Sequence, residues 1–165
     1  MYTTQDIITS FANDTRIIKH LAAKIPQDKL NRSPAEGTRT FKELLEYMVR
    51  MGVAPLHIAL NGYNPEEMKA MRLQAEQEDA VAQFDALMDK QLETITQTLQ
   101  NLDEATLNEE VEIFWNKQLR KQFILEIALK NFPAYRMQLF MYLKVGLKLS
   151  ELNSANLRQG VDMQS

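Results

Sequence analysis

The sequence predicts an all-α protein, a four-helix bundle, on three observations. Apolar residues recur at alternating three- and four-residue spacings over four long stretches. Threonine or proline signals open several of these stretches, and glycine or proline closes most of them. Composition is that of an ordinary globular chain, 45% hydrophobic and 25% charged over 165 residues, enough for one domain with a sizeable core.

The first helix begins near Thr3 or Thr4, with Thr4 and Gln5 as its cap residues. Ile7, Phe11, Asp14, Ile18, Leu21 and Ile25 then make one stripe, with Asp14 its single polar member. An acid there is either a hydrogen-bonded structural group or part of a polar site. Pro26 closes the helix, and 26–40 reads as loop from Pro26, Asn31, Ser33, Pro34 and Gly37. Thr40 and Glu43 form a capping box for the second helix, whose apolar positions are Leu44, Leu45, Met48, Val49, Leu56 and Leu60. Pro55 lies inside that pattern and should kink or interrupt it about one turn upstream. Asn61-Gly62 ends it.

A short helix over 65–75 is opened by Asn64 and Pro65. The third long helix runs from Ala80 to about Leu102 and buries Val81, Phe84, Met88, Leu92, Ile95, Leu99 and Leu102. Residues 103–117, acidic and then aromatic at Phe114 and Trp115, read as an extended or irregular crossover. The fourth long helix covers roughly 118–146 through Phe123, Ile127, Phe132, Tyr135, Leu139, Tyr142 and Leu143, with Pro133 in its interior. An interior proline costs about 3 kcal/mol, so packing must hold the second and fourth helices in their bends. Residues 1–148 are expected to form the bundle. The polar tail, 149–165, is expected to fray or to make one weak turn.

Zero cysteines remove a disulfide framework, a thiolate zinc site and a cysteine nucleophile together. With no long apolar run and no basic-then-apolar leader, the expected setting is cytoplasmic and no membrane is engaged. The net charge of −3 speaks against nucleic acid. Charge is uneven, with thirteen acids over 66–112 and seven bases over 116–148 against Glu126 alone. Two oppositely charged antiparallel helices lying side by side are the preferred reading, and a phosphate-binding face is the other.

Three segments carry a family resemblance. The first is Ile25-Pro26-Gln27-Asp28-Lys29-Leu30, leading to Ser33-Pro34-Ala35-Glu36-Gly37-Thr38-Arg39-Thr40. The second is Leu44-Leu45-Glu46-Tyr47-Met48. The third is Asn131-Phe132-Pro133-Ala134-Tyr135-Arg136-Met137-Gln138-Leu139, followed by Tyr142-Leu143-Lys144 and Gly146. In order and spacing, over nearly all of 5–147, they resemble the DinB-like superfamily, which includes thiol-dependent metal hydrolases and transferases. The resemblance implies a bundle that is often dimeric and holds a divalent metal on three histidines.

Carried over position by position, the three ligand places hold Tyr47, Asn131 and Tyr135. Asparagine offers a weak carbonyl oxygen, and tyrosine binds such metals well only as phenolate. The i,i+4 spacing still points 131 and 135 to one face. The two histidines, His20 and His57, match no ligand position and read as solvated or locally bonded. Asp14, Glu43, Glu46 and Asn131 are the oxygen donors from which a rebuilt metal site would have to be drawn.

The expected protein is therefore a DinB-like bundle with no catalytic residue, metal or cofactor. Tyr47, Asn131 and Tyr135 either line a pocket for a small polar ligand or simply satisfy the interior. Arg136 and Gln138 are expected to support the helix frame or a subunit contact. A homodimer is expected. The alternative is a metal-dependent thiol S-transferase or hydrolase with atypical ligands.

Overall fold

The computed structural model describes residues 3–114 and 116–163. Five helices precede a small ribbon: α1 (Thr4–Ala22), α2 (Phe41–Met48), α3 (Val53–Asn61), α4 (Pro65–Gln77) and α5 (Phe84–Gln100). A single turn, α6 (Glu104–Leu107), leads into the hairpin of β1 (Glu110–Ile113) and β2 (Asn116–Leu119). Next come α7 (Arg120–Phe123), α8 (Lys130–Met141) and α9 (Ser154–Gln159). Wide π-helical turns at Ile124–Leu129 and Tyr142–Gly146 extend α7 and α8 into one rod over 120–146. The protein is all-α, with four long helical units formed by α1, α2–α3, α5 and this rod.

Capping fixes where the first two units start. Thr3, one residue before the expected cap, accepts the Asp6 N–H at 3.1 Å while the Asp6 carboxylate accepts the Thr3 N–H at 2.8 Å. Thr40 and Glu43 make the same reciprocal pair at 3.1 and 2.8 Å, as the sequence predicts. Helix α1 packs against both α5 and α8. Its buried face is consequently wider than one stripe, and Ile8 and Ile17 join Phe11, Ile18 and Leu21 in the core. Phe11 meets Phe132 of the rod edge to face, ring centres 5.0 Å apart.

The second unit breaks where Pro55 requires. Helix α2 stops at Met48 and α3 restarts at Val53, which puts Pro55 in a first turn, where its missing N–H has no intrahelical acceptor to lose. Gly52 in the break is required by close approach. A Cβ there would stand 2.7 Å from both Ile95 Cδ1 and Phe132 Cε2. Gln91 of α5 fills the broken ladder from the side. Its Oε1 accepts the Gly52 N–H at 2.8 Å, and its Nε2 donates to the Met48 carbonyl at 3.0 Å. Pro133 sits just past the first π-helical stretch, where the Lys130 N–H reaches back to the Leu125 carbonyl. The proline thus follows a turn already off the ordinary i→i−4 ladder.

Three expectations are corrected. The 103–117 crossover is extended over the hairpin, as one of its two readings had it, but regular rather than irregular: Asp103 caps α6 through the Thr106 N–H at 2.7 Å, and the hairpin pairs Glu110 with Leu119 and Ile113 with Asn116. Phe114 begins the connecting turn at φ +58°, the left-handed conformation tight hairpins demand. Trp115 lies outside the described residues.

The C-terminal segment is docked rather than frayed. Helix α9 packs on α1 with Leu152, Ala155 and Asn156 buried. Arg16 donates to the Gln159 carbonyl at 2.6 Å, and Lys24 pairs with Asp162 at 2.6 Å. Only a few apolar residues hold it, too few to print a helical period on the sequence.

The acidic and basic segments do not pair as neighbouring helices. Helix α1 stands beside both α5 and α8. Among the described residues, the ion pairs linking the two segments cross the hairpin, Lys117 to Glu110 and Arg120 to Glu109. Arg120 is further consumed by the carbonyls of Ala59, at 2.9 Å, and Thr106, at 3.1 Å. Among the described residues no helix is long and apolar enough to cross a membrane.

Candidate ligand site

Glu43, Tyr47 and Arg50 stand at i, i+4 and i+7 around α2 and its end, one face of a helix. Helix α4 packs along α2 and brings Arg72 and Glu76, four residues apart, to the same place. With Arg39 from the loop before α2 and Glu46, these residues line an open cavity of about 320 Å³. Tyr47 forms one wall. Its ring carries the Arg39 guanidinium carbon 4.9 Å from its centre and that of Arg50 at 5.1 Å, both within cation–π range.

The rod also packs against Tyr47. Tyr135 lies against it, ring centres 4.5 Å apart and planes tilted by 39°. One helical turn earlier, Asn131 donates its amide N–H to the Met51 carbonyl at 3.0 Å. Of the three residues singled out in the sequence, the structure therefore joins Tyr47 to Tyr135, while Asn131 is spent on the backbone of the α2–α3 break. The site residues that sequence reading missed are Arg39, Arg50, Arg72 and Glu76. The 43–47–50 spacing signalled Arg50. Nothing in the sequence said that α4 would fold onto α2.

Electrostatics of the cavity follow from burial. Burial first, and then the adjacent Tyr135 hydroxyl, push the Tyr47 phenol up to about 12. Burial also holds the Arg50 guanidinium below its usual range, and the nearby positive charges of Arg72 and Arg39 add to the effect. The Glu46 carboxyl is raised by burial.

The remaining polar residues are spoken for elsewhere. Asp14 is buried and ion-paired with Arg136 at 2.5 Å, tying α1 to α8, which is the structural role in the helix frame. Gln138 donates to the Tyr142 hydroxyl at 2.9 Å. His57 lies 2.6 Å from Glu67, and His20 lies 3.2 Å from the Asn156 amide, so both histidines are locally bonded. Asp14, Glu43, Glu46 and Asn131 do not converge. Among the described residues no group of three or more histidine, cysteine or acidic side chains is placed to share a metal ion.

A crystal structure of a DinB-like protein, YjoA of Bacillus subtilis, superposes with a TM-score of 0.66, covering 89% of this chain and 94% of that one at 21% identity. The fold is DinB-like. No protein-family model matches the sequence, and no curated protein matches it.

The resemblance that this fold bears out implies a three-histidine metal, and the residues present do not fit it. The DinB-like bundle offers Tyr47 as a neutral phenol whose proton is held to about pH 12, and an Asn131 amide already engaged with Met51. Divalent zinc, nickel or iron prefers neutral imidazole or anionic donors, and positions 47, 131 and 135 supply neither.

Proposed function

We propose that this DinB-like protein is a binding protein without metal-dependent catalysis, whose cavity beside Tyr47 takes a small polar ligand. The observation that carries the reading is the chemistry of Tyr47 itself: a half-buried phenol in contact with Tyr135 and with two guanidiniums stands where the resemblance puts a metal ligand. A protonated phenol donates and accepts hydrogen bonds at neutral pH and is a poor partner for a divalent cation. The cavity volume suits a small molecule rather than a peptide.

The same reading makes the protein a homodimer, with no nucleic-acid or membrane partner. The acidic net charge of −3 and the cysteine-free composition support a cytoplasmic setting of that kind.

Elemental analysis of untagged protein, purified without chelator, tests the central claim. Zinc, nickel and iron are expected far below one equivalent per chain, before and after incubation with each ion and desalting. Near-stoichiometric retention that is lost in Tyr47→Phe overturns the reading.

A further inference from the structure

We infer that the cavity beside Tyr47 is an oxyanion site, in which Arg39 and Arg50 take the carboxylate or phosphate group of a small molecule. The inference rests on the ligand-binding reading above and names the class of ligand. It starts from an imbalance in how the six charged residues of the cavity are partnered.

Each of the three carboxylates has an engagement of its own. Glu43 accepts the Thr40 N–H at 2.8 Å and the Thr40 hydroxyl at 3.0 Å in the helix cap. Glu76 faces the Arg72 Nε at 3.5 Å. Glu46 faces the Lys42 ammonium at 3.8 Å. Two of the three guanidiniums are not matched in return. Among the described residues, Arg39 and Arg50 make no side-chain hydrogen bond and no ion pair, and their contact is with the face of the Tyr47 ring. The Arg50 Nε is fully buried with no hydrogen-bond partner. A buried donor on a cation is expensive to leave unpaired, and two guanidiniums over one ring repel each other.

An oxyanion in the cavity offsets the repulsion and pairs with the guanidinium donors that line it. Guanidinium presents its donors as a planar fork that matches carboxylate or phosphate oxygens, and pairing of this kind is stronger where water is partly excluded. Stacking on Tyr47 preorganises the forks, so less side-chain freedom is lost on binding. Arg39 is exposed at the rim and Arg50 is half-buried beneath it, which orders the contacts from entrance to floor.

The test uses the full chain, calorimetry and thermal melting, with total ionic strength held constant by sodium chloride. Inorganic phosphate and succinate are the oxyanion probes; glycerol and ethylenediamine are the neutral and cationic ones. The expected result is one oxyanion site per chain with a raised melting temperature, weakened about tenfold or more in Arg50→Gln and in Arg39→Gln. Arg158→Gln, exposed on α9, is expected to leave binding unchanged. Binding of phosphate alone assigns the group as phosphate and binding of succinate alone assigns it as carboxylate. Either supports the inference. Arg39→Gln lies on an exposed loop, so it keeps the test intact if Arg50→Gln does not fold by circular dichroism.

Oxyanion binding that is unaltered in the foldable variants overturns the inference. So does a shift of the Tyr47 ring resonances, assigned against Tyr47→Phe, by glycerol or ethylenediamine but by neither anion; that outcome leaves the ligand pocket standing. If no probe of any charge moves those resonances, the pocket reading falls as well.

Discussion

At the scale of single residues, Tyr47 separates the part of the site that was legible from the part that was not. The frame around 131–139 and the leucine pair before Tyr47 located two helix faces, and the rings of Tyr47 and Tyr135 do meet at 4.5 Å. Their partners were harder to see, because Arg39 and Arg72 come from a loop and from a helix whose docking depends on tertiary packing, not on local pattern. Asn131 takes the other of its two expected roles, satisfying the interior: its amide belongs to the Met51 carbonyl, a backbone acceptor that exists only because the second helix breaks. The raised phenol pKa has a measurable consequence. In the unfolded chain Tyr47 ionises near pH 10, whereas in the folded protein it holds its proton to about 12. Between those values the folded state binds the extra proton, so the contribution is intact below pH 10 and stability falls as pH rises through the window. Denaturant melts from pH 9 to 12 should show that decline in the wild type and a shallower one in Tyr47→Phe. Equal slopes would mean that Tyr47 titrates as an exposed phenol.

At the scale of elements, the prolines and capping boxes were readable because each acts through the local backbone. Thr40 with Glu43 opens α2, and Pro55 interrupts the helix one turn upstream, as steric exclusion requires. What holds the interruption could not be read. Gln91 falls between Met88 and Leu92 and looks like a solvent-facing neighbour of the apolar stripe. It is nevertheless 3% exposed, while Leu92 is only half-buried. The reason is that α5 faces the break, where three backbone groups need partners, and a carboxamide satisfies donors and acceptor together: the Gly52 N–H, the more distant Val53 N–H at 3.4 Å, and the Met48 carbonyl. Gln91→Leu keeps the volume and removes all of these bonds. Buried groups left unpaired cost about 1–3 kcal/mol each before relaxation, so a loss of roughly 2–4 kcal/mol is expected by urea denaturation. A change below about 0.5 kcal/mol, ordinary for surface sites, would show that water or another group replaces the glutamine.

At the scale of the whole molecule, the question is what the long rod shows to the outside. Its inner side carries Phe132, Leu139 and Leu143 into the core beside α1. Its outer side is also apolar. Met137, Met141 and Val145 follow each other at four-residue spacing and are 46%, 45% and 61% exposed, one line along the same helix face. Arg136, which would otherwise break the apolar character of this stretch, is turned inward to Asp14. A helix apolar on both sides is the mark of burial on both sides, and contiguous exposed apolar surface is where subunits meet. Methionine suits such a face because its flexible thioether adapts to an opposing copy of itself. A two-fold pairing of rods through this line is the expected dimer. Light scattering coupled to size exclusion should give the mass of two chains for the wild type. Met141→Glu and Val145→Glu should each shift it to one chain with the helical circular dichroism unchanged, since an unpaired carboxylate in a desolvated interface opposes association and is harmless on a free surface. A wild-type mass of one chain would remove the dimer altogether. Dimers that survive both charges would place the contact on another face and leave this stripe to explain.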